Sequence, residues 1–173
     1  MPRPTMQAII ARLRALIGDP AGAEQTWTDD ELQDLLDHSR TDVRYLRAVA
    51  METVLSGGAT VVLDAYAPSG LTDWEADAQL CGPDYQPLTP ATADYAVGHW
   101  TFAASQDEPI HIIGKTYDIH LAASTALESW AARLAREYDF KSGDQTFARG
   151  AAADRLFAAA RTMRRRARVA ISA

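Results

Sequence analysis

Cysteine is almost absent from this chain of 173 residues, since Cys81 is the only one. A single cysteine excludes an intrachain disulfide and indicates synthesis in a reducing compartment. Long apolar runs are also missing, because no stretch approaches the roughly 18 apolar residues that a membrane span needs. The start, MPRPTMQAII, lacks the apolar core and cleavage site of a signal peptide. The length and the 47% apolar composition therefore favour one globular domain, residues 1–173.

Basic residues are missing from the middle of the chain. Residues 48–114 contain nine acidic side chains and no Lys or Arg, whereas residues 115–173 contain eleven basic and six acidic ones. The net charges of residues 1–47, 48–114 and 115–173 are −2, −9 and +5, within a total of −6. Surfaces of opposite sign can set the register in which copies or partners meet, although each surface can also simply be solvated.

Catalytic and cofactor-binding motifs are missing as well. The sequence has no Gly-rich phosphate loop, no GxSxG and no HExxH. Cys81 lies in a turn-like stretch without an evident activating partner, which predicts an inert thiol. We therefore expect no enzyme activity and no cofactor.

Two weak metal-site patterns can be considered. His111 and His120 flank a strand-to-helix junction, but a third ligand is missing, which favours structural histidines. Asp73, Glu75 and Asp77 alternate and would share one face of a strand. Such a face is suited to a hard cation, although it is more often solvated. We expect no metal at either place.

Helical patterns occupy both ends of the chain. Residues 6–17 form a short amphipathic pattern that Gly18 ends, and Thr28 with Glu31 forms a capping box that opens a helix over 29–40. A longer pattern over 117–138 has Leu127, Trp130, Leu134 and Tyr138 on its apolar face. We expect this face to pack on Leu156, Ala160 and the Leu32–Leu36 face, with a polar loop at 139–146 before the last helix, 149–168.

The section between these patterns is β-like. Short stretches rich in β-branched and aromatic residues, separated by turn signals such as SGG and CGPD, predict five or six antiparallel strands. The fold class is therefore α+β: a bundle of about four helices, from 1–42 and 116–173, with an antiparallel β subdomain, 43–115, inserted between helices two and three.

The order of these segments resembles the head–tail connector, or adaptor, proteins of long-tailed bacteriophages. The pieces that carry the resemblance are the TDDEL helix start, the I-x-G-K-x-YD junction at 112–118, LESWAARLAREYDF at 127–140 and SGDQTFAR at 142–149. Together they are spread over most of the chain. None of these pieces carries chemistry, so the resemblance implies a structural role.

The resemblance implies a virion protein of the neck, made in the bacterial cytoplasm. Such proteins form a ring, usually dodecameric, beneath the portal protein. The ring extends the DNA channel and provides the platform for the next neck, stopper or tail protein. Double-stranded DNA passes through the lumen without sequence-specific binding, and no membrane is involved.

The charge pattern and the resemblance together suggest two contact regions. Five arginines at the end of the last helix are the candidates for docking on the portal: Arg161, Arg164, Arg165, Arg166 and Arg168. Guanidinium groups fork onto carboxylates and stay charged when partly desolvated. In the acidic middle, the candidates for the subunit interface are Asp73, Trp74, Glu75 and Asp77. The alternative function is a nucleic-acid-binding regulator that uses the arginine helix.

Overall fold

The computed structural model describes residues 1–136, 140–142, 145–147 and 149–168. The described residues form a mixed α+β structure, as the sequence predicted, with four α-helices and antiparallel sheets. The chain divides into two compact units. The helical unit comprises residues 1–2, 10–39 and those from 118 on, and the strand unit comprises residues 3–9 and 40–117. The strand unit thus also includes a short N-terminal segment that the sequence analysis placed with the helices.

The capping residues confirm the predicted start of α2, and α1 ends at the predicted glycine. A 3-10 turn, Pro4–Met6, leads into α1, Gln7–Ile17, which ends at Gly18 with a φ of 70°. The N-cap of α2, Asp29–Asp37, is Thr28, whose hydroxyl accepts from the Glu31 N–H at 3.2 Å. In return the Glu31 carboxylate accepts from the Thr28 N–H at 2.8 Å, which confirms the capping box. This helix ends three residues before the predicted position, because the chain enters a strand at Arg40.

The last two helices are α3, Ile119–Ala135, and α4, Arg149–Arg166. They pack on each other, and α2 packs on α3. Leu127 and Ala160 are buried as predicted, whereas Trp130, Leu134 and Leu156 are half-buried. Tyr138 lies outside the described residues. Small side chains of α3 and α4 are fully enclosed, which is how alanine-rich helices approach closely: Ala122, Ala123, Ala126, Ala131 and Ala153.

The prediction of a polar loop at 139–146 is wrong in part. Two short strands, β9 at Phe140–Ser142 and β10 at Gln145–Phe147, pair antiparallel there. The register places Phe140 opposite Phe147 and Ser142 opposite Gln145. Two short paired strands differ from a polar loop only in their cross-strand pairing, and the local composition does not show this pairing.

The strand unit contains two four-stranded antiparallel sheets. The first has the order β1-β8-β4-β5 and the second has the order β2-β3-β7-β6. The strands are β1 Arg40–Arg47, β2 Val49–Val54, β3 Thr60–Tyr66, β4 Gln79–Cys81, β5 Pro87–Leu88, β6 Thr92–Asp94, β7 His99–Thr101 and β8 His111–Tyr117.

The core of the strand unit forms around two tryptophans. Trp74 and Trp100 are both 1% exposed, with ring centroids 5.8 Å apart in an edge-to-face arrangement. Val62, Leu80 and Ile112 pack into the same cluster. Such an aromatic pair adds to the stabilisation from buried area alone.

Candidate docking surface

The arginines at the end of α4 divide into two groups. Arg161, Arg165 and Arg166 are exposed, and the structure records no ion pair for any of them with another described residue. Arg161 and Arg165 are one turn apart and therefore share a face of the helix. These three side chains present positive charge to solvent over the last two turns.

The other two arginines are engaged within the helical unit. Arg164 donates from Nε to the Ser124 hydroxyl at 3.2 Å and from Nη2 to the Glu128 carboxylate at 3.3 Å. The Arg168 backbone N–H donates to Asp118 Oδ2 at 2.6 Å. Both contacts hold the end of α4 against α3. Of the five arginines predicted to dock, Arg161, Arg165 and Arg166 therefore remain candidates for contact, whereas Arg164 and Arg168 are engaged within the helical unit.

Asp118 links the start of α3 to the end of α4. Its Oδ1 accepts from the backbone N–H groups of His120 and Leu121 at 3.1 and 3.0 Å, so it is the N-cap of α3. Its Oδ2 accepts from Arg168. A carboxylate at a helix N-terminus also interacts favourably with the helix dipole. The final residue of the I-x-G-K-x-YD junction thus positions the arginine-bearing helix end.

The predicted subunit-interface residues require a correction. Asp73, Trp74 and Glu75 are buried in the strand unit, with exposures of 2%, 1% and 0%. They do not lie on a solvated strand face, because Asp73 has a left-handed backbone, with a φ of 57°, and Trp74 forms only an isolated bridge to Thr116. Three of the four candidates therefore cannot reach a neighbouring copy, and only Asp77 is exposed.

Glu75 instead forms the centre of a buried polar cluster. Its Oε1 accepts from Arg3 Nε at 3.0 Å and from the Thr5 hydroxyl, and its Oε2 accepts from the Tyr117 hydroxyl at 2.6 Å. Lys115 Nζ lies 3.2 Å from Oε2. Burial alone would raise the pKa of Glu75, but the hydrogen bonds from these four side chains outweigh it and lower the pKa to about 2.

The same cluster affects Tyr117 in the opposite direction. Burial raises the pKa of its phenol, and the adjacent Glu75 carboxylate raises it further. In this pair Glu75 is therefore ionised and Tyr117 is neutral. Because Glu75 is surrounded by donors and cations, its buried charge is compensated and its carboxylate is not open to a metal ion.

The remaining chemical candidates show no catalytic arrangement. Cys81 is buried at the end of β4, and burial raises the pKa of its thiol, with the nearby Asp84 adding to the effect. His111 lies in β8 and stacks on Tyr85, whereas His120 lies in the first turn of α3. Among the described residues no group of three His, Cys, Asp or Glu side chains could hold a metal ion. Within the same residues no helix is long and apolar enough to cross a membrane.

A buried ion pair near the start of the chain was not predicted from the sequence. Arg14 donates from Nη1 to Asp19 Oδ2 at 2.6 Å and from Nη2 to the Trp27 carbonyl at 2.7 Å. Asp19 Oδ1 accepts from the Thr26 N–H at 2.6 Å. These bonds fix the connection between α1 and α2. The feature of the sequence that could have indicated this ion pair is an Arg and an Asp on either side of Gly18, where α1 ends.

Comparison with protein-family models, curated proteins and solved structures found no match for this chain.

Proposed function

We propose that this protein is a structural virion component: a head–tail connector that forms a ring under the portal, extends the DNA channel and provides a platform for the next neck, stopper or tail protein. In this proposal it acts in the neck of the virion, in a dodecameric ring, without catalysis and without a cofactor. The helical unit is the ring-forming bundle, and residues 40–117 of the strand unit are inserted in the sequence between α2 and α3.

The observation that carries the proposal is the braced, arginine-bearing end of α4. Arg164 and the Arg168 backbone hold this end against α3, while Arg161, Arg165 and Arg166 remain exposed. A rigid helix end with three outward guanidinium groups is suited to an acidic or carbonyl-rich protein surface. The portal is the partner that we assign to it.

The residues behind the resemblance support a structural role. In the I-x-G-K-x-YD junction, Ile112 is buried in the core and Tyr117 hydrogen-bonds to Glu75. Lys115 forms an ion pair with Glu75, and Asp118 caps α3. Each of these side chains therefore has a packing, pairing or capping role.

The test is attachment to the portal protein encoded in the same genome. The wild type should co-purify with portal rings and add a ring of density in electron micrographs. Arg161→Glu, Arg165→Glu and Arg166→Glu combined should remain folded and lose this attachment. The matched control reverses three other exposed arginines, Arg44, Arg136 and Arg155, and should attach normally.

The second candidate is a nucleic-acid-binding regulator, which the same exposed arginines favour. A regulator would bind duplex DNA with a steep dependence on salt concentration and would not add density to portal rings. Strong DNA binding without portal attachment would replace the connector proposal with this one.

A further inference from the structure

Two large exposed side chains of the strand unit, Tyr45 and Tyr85, are in contact with each other. Their exposures are 53% and 58%, and their ring centroids lie 5.2 Å apart in an edge-to-face arrangement. Tyr85 also stacks on His111, with ring centroids 5.4 Å apart. The two tyrosines line an open cleft of about 350 Å³. This tyrosine pair therefore offers aromatic surface to a ligand that arrives from solvent.

Both tyrosines have a backbone conformation that a bulky residue rarely adopts. The φ angles of Tyr45 and Tyr85 are 52° and 61°, in the left-handed region. Tyr45 lies in the bulge of β1, and Tyr85 lies in the turn between β4 and β5, where its N–H donates to the Gly82 carbonyl at 3.0 Å. Asp84 supports this turn, since its Oδ1 accepts from the Gln86 N–H at 3.1 Å. One ring contact between half-exposed side chains is weak compensation for two such conformations, and outliers of this kind cluster at binding sites.

The positive charge that the strand unit leaves available lies beside this pair. The basic residues of the unit are Arg3, Arg40, Arg44, Arg47 and Lys115. Three of them form ion pairs with the buried Glu75 or with Asp42. Arg44 and Arg47, which flank Tyr45 in β1, are both exposed. Arg47 approaches one carboxylate at 3.4 Å, and Arg44 has no recorded ion pair with another described residue.

We infer that the tyrosine pair is a nucleotide-binding site, in which the base stacks on an exposed tyrosine ring and the phosphate binds Arg44 and Arg47. Any base can stack on an aromatic side chain, because every base has a flat π face. A guanidinium group binds phosphate through paired hydrogen bonds. The tyrosines and the arginines thus recognise the two chemically different parts of one ligand. The site needs neither a ring nor a portal, so this inference goes beyond the connector proposal and does not rest on it.

The surrounding charge restricts the length of the ligand. Residues 48–114 carry nine acidic side chains and no Lys or Arg. A long polyanion that extended beyond Arg44 and Arg47 would be repelled by these acidic residues. The ligand is therefore a free nucleotide or a few nucleotides of a single strand. Both sources present the same base and phosphate, whereas the bases of duplex DNA are already stacked on one another.

Isothermal titration calorimetry of the full chain with deoxyadenosine monophosphate tests the site. The wild type should show saturable binding. Tyr85→Asn should raise the dissociation constant about tenfold or more, because Asn adopts the left-handed backbone readily but has no aromatic ring. Tyr85→Phe retains the ring and should bind like the wild type. Val97→Ala, at another exposed apolar residue, is the matched control.

The arginines are tested by a double variant. Arg44→Gln and Arg47→Gln combined should also raise the dissociation constant about tenfold and should reduce its dependence on salt. The control combines Arg12→Gln and Arg136→Gln, at two exposed arginines outside the strand unit. A deoxyadenylate strand of about four nucleotides separates the two sources. Tighter binding of this strand than of the monophosphate identifies a single strand as the ligand, and equal or weaker binding identifies the free nucleotide.

Three results would overturn the inference. The first is the absence of saturable binding of either probe by the wild type. The second is equal affinity of the wild type and Tyr85→Asn for the probes. The third is equal affinity of the wild type for the monophosphate and for deoxyadenosine, which lacks the phosphate. None of these measurements involves the portal, so a failure here is distinct from a failure of the connector proposal.

Discussion

At the scale of single residues, the carboxylate of Glu75 remains ionised although it is buried in the strand unit. Glu75 has no exposed surface and is compensated by Arg3, Thr5, Lys115 and Tyr117. Because its pKa is about 2 in the folded protein and 4.5 without these partners, the unfolded chain takes up the proton first as the pH falls. The stability from this group is complete above about pH 5 and is lost between about pH 4.5 and 2.

This titration gives the first prediction. Over that pH window the wild type should lose about 3 kcal/mol of unfolding free energy through Glu75, from the size of the pKa shift. Glu75→Gln cannot titrate, so its stability curve should approach that of the wild type as the pH falls. Urea unfolding at a series of pH values measures the difference. Asp107→Asn, at an exposed position outside the cluster, is the control. Parallel curves for the wild type and Glu75→Gln would contradict the prediction.

The second residue-scale prediction concerns the pair of Arg14 and Asp19. Asp19→Ala leaves a buried guanidinium with a partly exposed partner, Asp29, and should cost about 3 kcal/mol. Asp29→Ala should cost less than about 1 kcal/mol, since its side chain is 54% exposed. Chemical denaturation of both variants checks the order. A smaller loss for Asp19→Ala than for Asp29→Ala would show that burial does not control this pair.

At the scale of elements, β8 approaches Ala78 closely at Gly114. A Cβ added at Gly114 would lie 2.8 Å from the Ala78 Cβ and 3.0 Å from its Cα. Contacts this short require the backbone to shift. The glycine in the junction motif is thus needed for packing and not for a special backbone conformation.

Gly114→Ala should therefore destabilise the protein by about 1–3 kcal/mol, the usual cost of overpacking. Combining it with Ala78→Gly should recover part of this loss, because the clash is with that methyl group. Gly57→Ala is the control, since a Cβ there meets nothing within 4 Å. Differential scanning calorimetry of the wild type, the three single variants Gly114→Ala, Ala78→Gly and Gly57→Ala, and the double variant gives the answer. Strictly additive losses in the double variant would contradict the prediction.

The start of α2 was predictable from the sequence, whereas the strand limits and the start of α3 were not. The capping box at Thr28 depends on residues three apart, so it is visible locally. By contrast, β1 begins at Arg40, where it pairs with Tyr117, 77 positions later. Tyr117 itself was predicted in a helix and lies in β8. A strand ends where its partner ends, and that partner is distant in sequence.

The candidate surfaces also differ in how far the sequence alone could predict them. The arginine cluster was predicted because its members are adjacent in the sequence. The burial of Asp73, Trp74 and Glu75 was not, because their compensating groups come from residues such as Arg3 and Lys115. A pattern of alternating acidic residues is typical of a solvated strand. The local sequence does not show that distant cations surround one of these residues.

At the scale of the whole molecule, charge is distributed unequally along the chain, from −9 over 48–114 to +5 over 115–173. If Arg161, Arg165 and Arg166 dock on the portal, attachment should weaken as salt rises from about 0.1 M to 1 M, where the screening length falls from about 10 to 3 Å. Pull-down on portal rings over this range measures the effect. Attachment that is unchanged at 1 M salt would indicate an apolar interface instead.

The Glu75 cluster also has a consequence for the synthesis of the protein and for the fragments into which it can be truncated. Its members are separated by up to 114 positions along the chain, with Arg3 translated first and Tyr117 last. The cluster is incomplete until the whole strand unit has emerged from the ribosome, so this unit cannot mature progressively during synthesis. A fragment that starts at Arg40 would lack Arg3 and Thr5, and should misfold or aggregate unless residue 75 is made neutral.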